Sequence, residues 1–189
     1  MRFAARIAAV GLAALAASGA CAATTAGLAI ADPGLKAAQA VKVSSPKIPP
    51  GGPIPQEYSA YGQGVSPPLA WSKGPYGSRS FALIVEDPDA PLPTPFVHWM
   101  VWNIPGGVTA LAQGAVPTGA AQGKLMFVGT VGYMGPRPPD ASPHHYHFQV
   151  FALDRTLDLP AGAERAALVD AMKGHVLASG ELVAAYQKK

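Results

Sequence analysis

The 189-residue chain carries a single cysteine, Cys21, so no disulfide can close within it and the fold must rest on its own apolar core. Charged residues are scarce at 13 % and mixed in sign, with 14 Lys+Arg against 11 Asp+Glu, a net of +3. Without Arg2 and Arg6 the balance is 12 against 11, or +1. No run of Lys or Arg marks a nucleic-acid face, which removes electrostatic DNA and RNA binding from the candidate functions. Glycine loops that cradle phosphates are missing too: neither a P-loop nor a G-x-G-x-x-G stands between a strand and a helix. No G-x-S-x-G turn presents a nucleophilic serine. Ser66, Ser72, Ser78 and Ser80 fall in turns or at a strand start with no recognisable base beside them. The one long apolar run, Ile7 to Ala17, is too short for a comfortable membrane span.

That run belongs to a different pattern. Arg2 and Arg6 sit among small residues ahead of it, and Ala20-Cys21-Ala22 supplies small residues before a cleavage point after Ala22. The combination reads as a secretory signal peptide over residues 1–22, and the expected location is periplasmic or secreted. Ser18-Gly19-Ala20-Cys21 loosely resembles a bacterial lipoprotein box, whose cysteine would carry a lipid anchor. Ser18 fits poorly where such boxes carry leucine, so simple cleavage is preferred and acylation of Cys21 is the alternative. Residues 23–42 are rich in Ala, Ser, Thr and Gly, which predicts a flexible leader, with an edge strand at Val41-Lys42-Val43. The remaining 43–189 form one domain.

Within that domain, 20 prolines and 21 glycines in the whole chain point to short strands and many fixed turns, not to a helical bundle. Ser80 to Glu86 is nearly all apolar, which predicts a central strand covered on both faces. Val97 to Ile104, Leu125 to Val131 and Tyr146 to Leu153 are further strands. Helices are expected late: Glu164 to Val176, with Leu168, Ala171, Met172 and Val176 on its apolar face, and Gly180 to Gln187, with Ser179 as N-cap. The expected fold is mainly β, with one or two C-terminal helices packed outside it.

Two stretches concentrate the chemistry. Asp87-Pro88-Asp89-Ala90-Pro91 leads from a strand into His98-Trp99, and its prolines stiffen a loop that presents two carboxylates. Such carboxylates need water, hydrogen bonds or a cation. Strand alternation places His98 with Met100 and Trp102, where an imidazole is ordinarily a core residue. A nearby Asp87 or Asp89 would favour imidazolium and so attract a phosphate or carboxylate. In Pro143-His144-His145-Tyr146-His147-Phe148, His144 and Tyr146 point one way, and His145 and His147 the other. His144 and Tyr146 could donate to one anion; equally, Tyr146, Phe148 and Val150 could form a core face with His144 at its solvent edge. A metal reading also stands, with His145-x-His147 as first ligands and His98, Asp87 or Asp89 completing the set, although no H-E-x-x-H helix or cysteine pair supports it.

These residues fall in a recognisable order. Ser66-Pro67-Pro68-Leu69-Ala70-Trp71, Ser80-Phe81-Ala82-Leu83, Asp87-Pro88-Asp89-Ala90-Pro91, His98-Trp99-Met100-Val101-x-Asn103-Ile104-Pro105, Pro138-Pro139 and His144-x-Tyr146 together resemble the phosphatidylethanolamine-binding proteins, also called Raf kinase inhibitor-like proteins, in their bacterial branch. The resemblance spans roughly residues 43 to 186. It implies an antiparallel β-sandwich with peripheral helices and a small anion pocket lined by Asp87, Asp89, His98, Pro139, His144 and Tyr146. It implies no catalytic residue, no metal and no cofactor. The ligand would be phosphate, a phosphorylethanolamine head group or a similar anion, with Asp87 and Asp89 orienting and charging His98, and the backbone of Gly135 to Pro139 closing one side. Two positions depart from the family pattern. His145 stands where an arginine is usual, and Arg137 replaces a small residue before the double proline, where it is expected to restore positive charge at the pocket mouth. The alternatives are a protein-interaction or inhibitor module using the same pocket, and a metal-dependent hydrolase.

Overall fold

A computed structural model describes residues 27–125 and 129–188; the expected signal peptide, and Cys21 with it, lies outside the described residues. Nine strands and one α-helix are arranged as two sheets. The larger sheet is built from β1 (Gln39–Ala40), β4 (Ser80–Asp87), β5 (Phe96–Pro105), β7 (Ala121–Gln122), β8 (His144–Leu153) and β9 (Val176–Tyr186), in the order β1-β9-β8-β4-β5-β7. The smaller joins β2 (Val43–Ser44), β3 (Leu69–Trp71) and β6 (Ala110–Leu111). Every pairing is antiparallel except the short β1–β9 contact.

β4 is buried along its whole length, as its unbroken apolar run requires. Its alternate side chains enter two different cores. Phe81, Leu83 and Val85 join Trp99, Val101, Phe148 and Val150 between the sheets. Ala82 and Ile84 join Met100, Trp102 and Phe151 on the outer face, beneath Leu168 and Met172 of α1 (Arg165–Met172). Each fully buried Leu, Val or Phe contributes about 1.5–3 kcal/mol by leaving water. With no disulfide available among the described residues, this double burial is what holds the sheet.

Four expectations are corrected. The segment from Gly180 to Gln187 is not a helix: it lies in β9, whose buried Ala178, Leu182, Ala184 and Tyr186 face inward and whose length pairs with β8 from His144 to Leu153. Tertiary pairing overrides the helical propensity of its alanines. Leu125 to Val131 is not a continuous strand; Lys124 bridges Val131 and the Leu125 N–H donates to the Thr130 carbonyl at 2.8 Å, so the chain reverses there, with 126–128 outside the described residues. The single edge strand expected at Val41-Lys42-Val43 is instead two strands, β1 and β2, one in each sheet. Finally, the described part of the leader is packed. Leu28, Ala29, Leu35 and Val41 are buried, because they cover outer-face and edge surface that β8 and β9 would otherwise leave to water.

One irregularity positions the candidate site. Val85 pairs with Trp99 but Glu86 pairs with Val97, so β5 carries one extra residue, His98, against the end of β4. A bulge of this kind re-aims a side chain. His98 therefore leaves the face of Met100 and Trp102, where plain alternation places it, and its ring packs edge-on against Tyr146 at 5.0 Å.

Candidate functional site

The site forms where β4 ends, β5 begins and β8 begins. Asp87 is the last residue of β4 and is almost wholly buried. One carboxylate oxygen accepts the N–H of Asp89 at 2.9 Å and of Ala90 at 3.2 Å, which fixes the start of the proline-rich loop. The other oxygen accepts from Nδ1 of His144 at 2.7 Å. A second pair lies beside the first: Asp89 accepts both the backbone N–H and Nδ1 of His145, each at 2.7 Å. The first pair is shut away, with side chains 6 % and 4 % exposed; the second is open to water, at 20 % and 24 %. In both, the carboxylate fixes the tautomer at Nδ1 and leaves Nε2 for something else.

His98 is held differently. Its Nδ1 stands 2.8 Å from the Met134 carbonyl, so that nitrogen carries the proton and donates. Burial pushes its pKa below the ordinary histidine value, the Met134 carbonyl and the Asp87 charge oppose that shift, and His144 adds to it. Asp87 and Asp89 are thus bonded to His144 and His145, and neither orients His98 by a hydrogen bond; the bulge gives His98 a carbonyl partner, and Asp87 acts on it through its charge alone. Tyr146 completes the floor. Its hydroxyl is buried near the Asp87 carboxylate, and burial, then the Asp87 charge, push its pKa up, so it remains a neutral donor.

A cleft of about 350 Å³ opens above this floor, lined by Asp89, Pro91, Pro139, Asp140, His144 and His145, among others. Of the expected residues, Asp89, Pro139 and His144 line the cleft, Asp87 stands behind His144, and His98 and Tyr146 are buried against each other. Arg137 is exposed and makes no hydrogen bond or ion pair among the described residues. No Lys or Arg side chain lines the cleft, so any positive charge inside it comes from imidazole. His145 and His147 do not converge on a metal: His147 is bonded to Glu181 at 2.8 Å while His145 is bonded to Asp89. Among the described residues no three His, Cys, Asp or Glu side chains are grouped to hold one.

The loop from Gly135 to Pro139 is held from outside. A Cβ on Gly135 would stand 2.6 Å from the Tyr58 carbonyl oxygen, so only glycine allows this close backbone approach. Ala60 N–H donates to Pro136, and the Tyr61 hydroxyl to Pro138 at 3.4 Å. Sequence reasoning missed the Asp89–His145 pair, because strand alternation sends His145 to the opposite face; at the first turn of β8 its backbone and ring both bend to Asp89. It also missed Asp140, whose carboxylate accepts the Ser142 N–H at 2.8 Å in an Asp-x-Ser turn that the sequence does spell out.

A β-sandwich with this polar cleft at one end defines a class, and the comparisons agree with it. The chain matches the family model for phosphatidylethanolamine-binding protein over residues 44–187, and it belongs to that family. Its structure is similar to CT736, a phosphatidylethanolamine-binding protein homologue of Chlamydia trachomatis, with a TM-score of 0.75 and 41 % identity over 80 % of this chain and 99 % of that one. It is similar to YbcL of Escherichia coli with a TM-score of 0.72 and 36 % identity, over 79 % and 99 %. In sequence it is 41 % identical to LppC of Mycobacterium tuberculosis, a protein named as a lipoprotein, over 67 % of this chain and 62 % of that one.

Proposed function

We propose that the protein is an exported binding protein for small anions, taking phosphate or a phosphate-bearing lipid head group such as phosphorylethanolamine, without turnover. The observation that carries this reading is the Asp87–His144 pair at 2.7 Å, which holds an imidazole in a fixed orientation on the wall of the cleft. Nε2 of that ring accepts while Nδ1 carries the only ring proton, and it donates once the ring is charged. That suits a ligand bringing both hydroxyl and oxyanion groups, as a phosphate does. Binding without chemistry fits the surroundings: among the described residues no hydroxyl or thiol is hydrogen-bonded to His144. Export is supported by the residue pattern over 1–22 and by the name of LppC.

His98 sets the pH dependence. With its pKa lowered, the ring is neutral near pH 7, and an anion held against it is bound together with a proton. Affinity therefore falls as pH rises. Isothermal titration of the processed, metal-stripped protein with phosphate and phosphorylethanolamine is the test, in wild type, His144→Ala and His98→Ala. Saturable binding that both variants lose supports the proposal. A wild type that binds neither ligand refutes it, and recovery on adding zinc would put the metal reading in its place.

A further inference from the structure

Glu86 is a fully buried carboxylate on the outer face of β4, one residue before Asp87. One of its oxygens pairs with the Arg165 guanidinium at the start of α1. The other accepts the Gln149 side-chain amide at 2.7 Å and the backbone N–H of Ala29 at 2.8 Å. Gln149 in turn accepts the Ile30 N–H at 2.6 Å, and Arg165 donates to the Gly27 carbonyl at 2.7 Å. Three residues of the near-N-terminal segment, Gly27, Ala29 and Ile30, are thus tied to a polar cluster contributed by β4, β8 and α1. None of them lies in the 44–187 stretch that the family model matches.

The same segment touches the site loop a second time. Gly27 packs on Pro95: a Cβ there would stand 3.0 Å from the proline ring, and Gly27 has φ +79°, which a side chain tolerates poorly. Pro95 is buried and closes the loop that begins at Asp87. Both feet of the loop carrying Asp87 and Asp89 therefore rest on residues 27–29, the first through Glu86 and the second through Pro95. Between the feet, Pro91 to Thr94 are exposed.

We infer that residues 27–30 form a strap that positions the two carboxylates of the cleft, with Glu86 as the positioning residue through which it acts. The strap touches no ligand. It sets where Asp87 and Asp89 stand, and through them the rings of His144 and His145. The inference deepens the anion-site reading and rests on it for its binding consequence.

Two variants of the processed protein separate the feet. Ala29→Pro removes the N–H given to Glu86 at the first position of a 3-10 turn, where the proline φ is accepted. Gly27→Val drives a side chain into Pro95. Glu86→Gln keeps the shape of the carboxylate and serves if either variant fails to fold. Leu168→Ala, in the outer-face core, is the control for lost stability alone. Phosphate affinity is read by titration calorimetry, and the ring nitrogens of His144 and His145 by nitrogen-15 NMR. Strap variants are expected to weaken phosphate binding about tenfold and to shift both Nδ1 signals, while Leu168→Ala does neither. Unmoved Nδ1 signals in folded strap variants overturn the inference. If wild type binds no phosphate, the site reading fails, and the Nδ1 signals still decide whether the strap sets the loop.

Discussion

Glu86 and Asp87 are neighbours in one strand, and they have opposite fates. Glu86 points to the outer face, where an arginine, an amide and a backbone N–H use its oxygens entirely within the protein. Asp87 points to the inner side, where it too is saturated, but by a histidine whose far nitrogen stays free at a cleft. Burial is nearly the same for both. The difference lies in the partner: a closed network ends in the protein and stabilises it, while an open one hands an unfinished valence to solvent. The candidate site lies where a hydrogen-bond chain stops short.

Four measurements would break or sharpen that contrast. Glu86→Ala should have the largest effect, because it leaves Arg165, Gln149 and the Ala29 N–H without their acceptor; a loss of about 3 kcal/mol in urea unfolding is expected. A loss near zero would show that the outer network is not structural. Asp87→Asn comes next. It weakens a charged hydrogen bond to a buried ring, with an expected cost of about 2 kcal/mol in stability and, in calorimetry, a phosphate affinity lower by about tenfold. Equal affinity in this variant would detach Asp87 from the site.

The third concerns pH. The folded pKa of His98 is lowered, so between that value and the ordinary histidine value of about 6.5 the unfolded chain holds the extra proton. His98 contributes its full stability above the ordinary value and loses it as pH falls through the folded one. The melting temperature should therefore drop on acidification from pH 7 to pH 5, and His98→Gln should flatten the drop; identical profiles would show that His98 does not govern it. The smallest effect belongs to the open pair. Asp89→Asn acts on side chains that water already screens, so thermal unfolding should register about 0.5–1 kcal/mol or less.

Much of the fold was legible because burial leaves a period in the sequence. The apolar run of Ser80 to Glu86 marks the central strand, and the alternation from Tyr146 to Leu153 marks its neighbour, each within two residues of the observed ends. What failed depended on distance. The alanines of β9 favour a helix locally, and only pairing with β8 makes a strand of them. Leu28 and Leu35 are thinly spread among small residues, and the partners of the strap lie 57 and 119 positions away in sequence. Within the site, the two proline-flanked motifs do meet. The carbonyl partner of His98 was hidden by one extra residue in β5, since a single bulge changes the face on which a side chain is read, and the Asp89–His145 pair was hidden because alternation assigns His145 to the opposite face.

β9 runs for eleven residues along the side of the larger sheet, and its outer line of peptide groups is covered in two stretches, by β1 with Val41 and by Gly51, Gly52 and Ile54. At Gly180 the fit is so close that an added Cβ would fall 1.9 Å from the Val41 carbonyl oxygen. A protease that nicked the chain just after Lys42 would let go of the first of these stretches, around Ala178 and Ser179, and bared strand edges recruit copies of themselves. A nicked sample is therefore expected to turn turbid before an intact one.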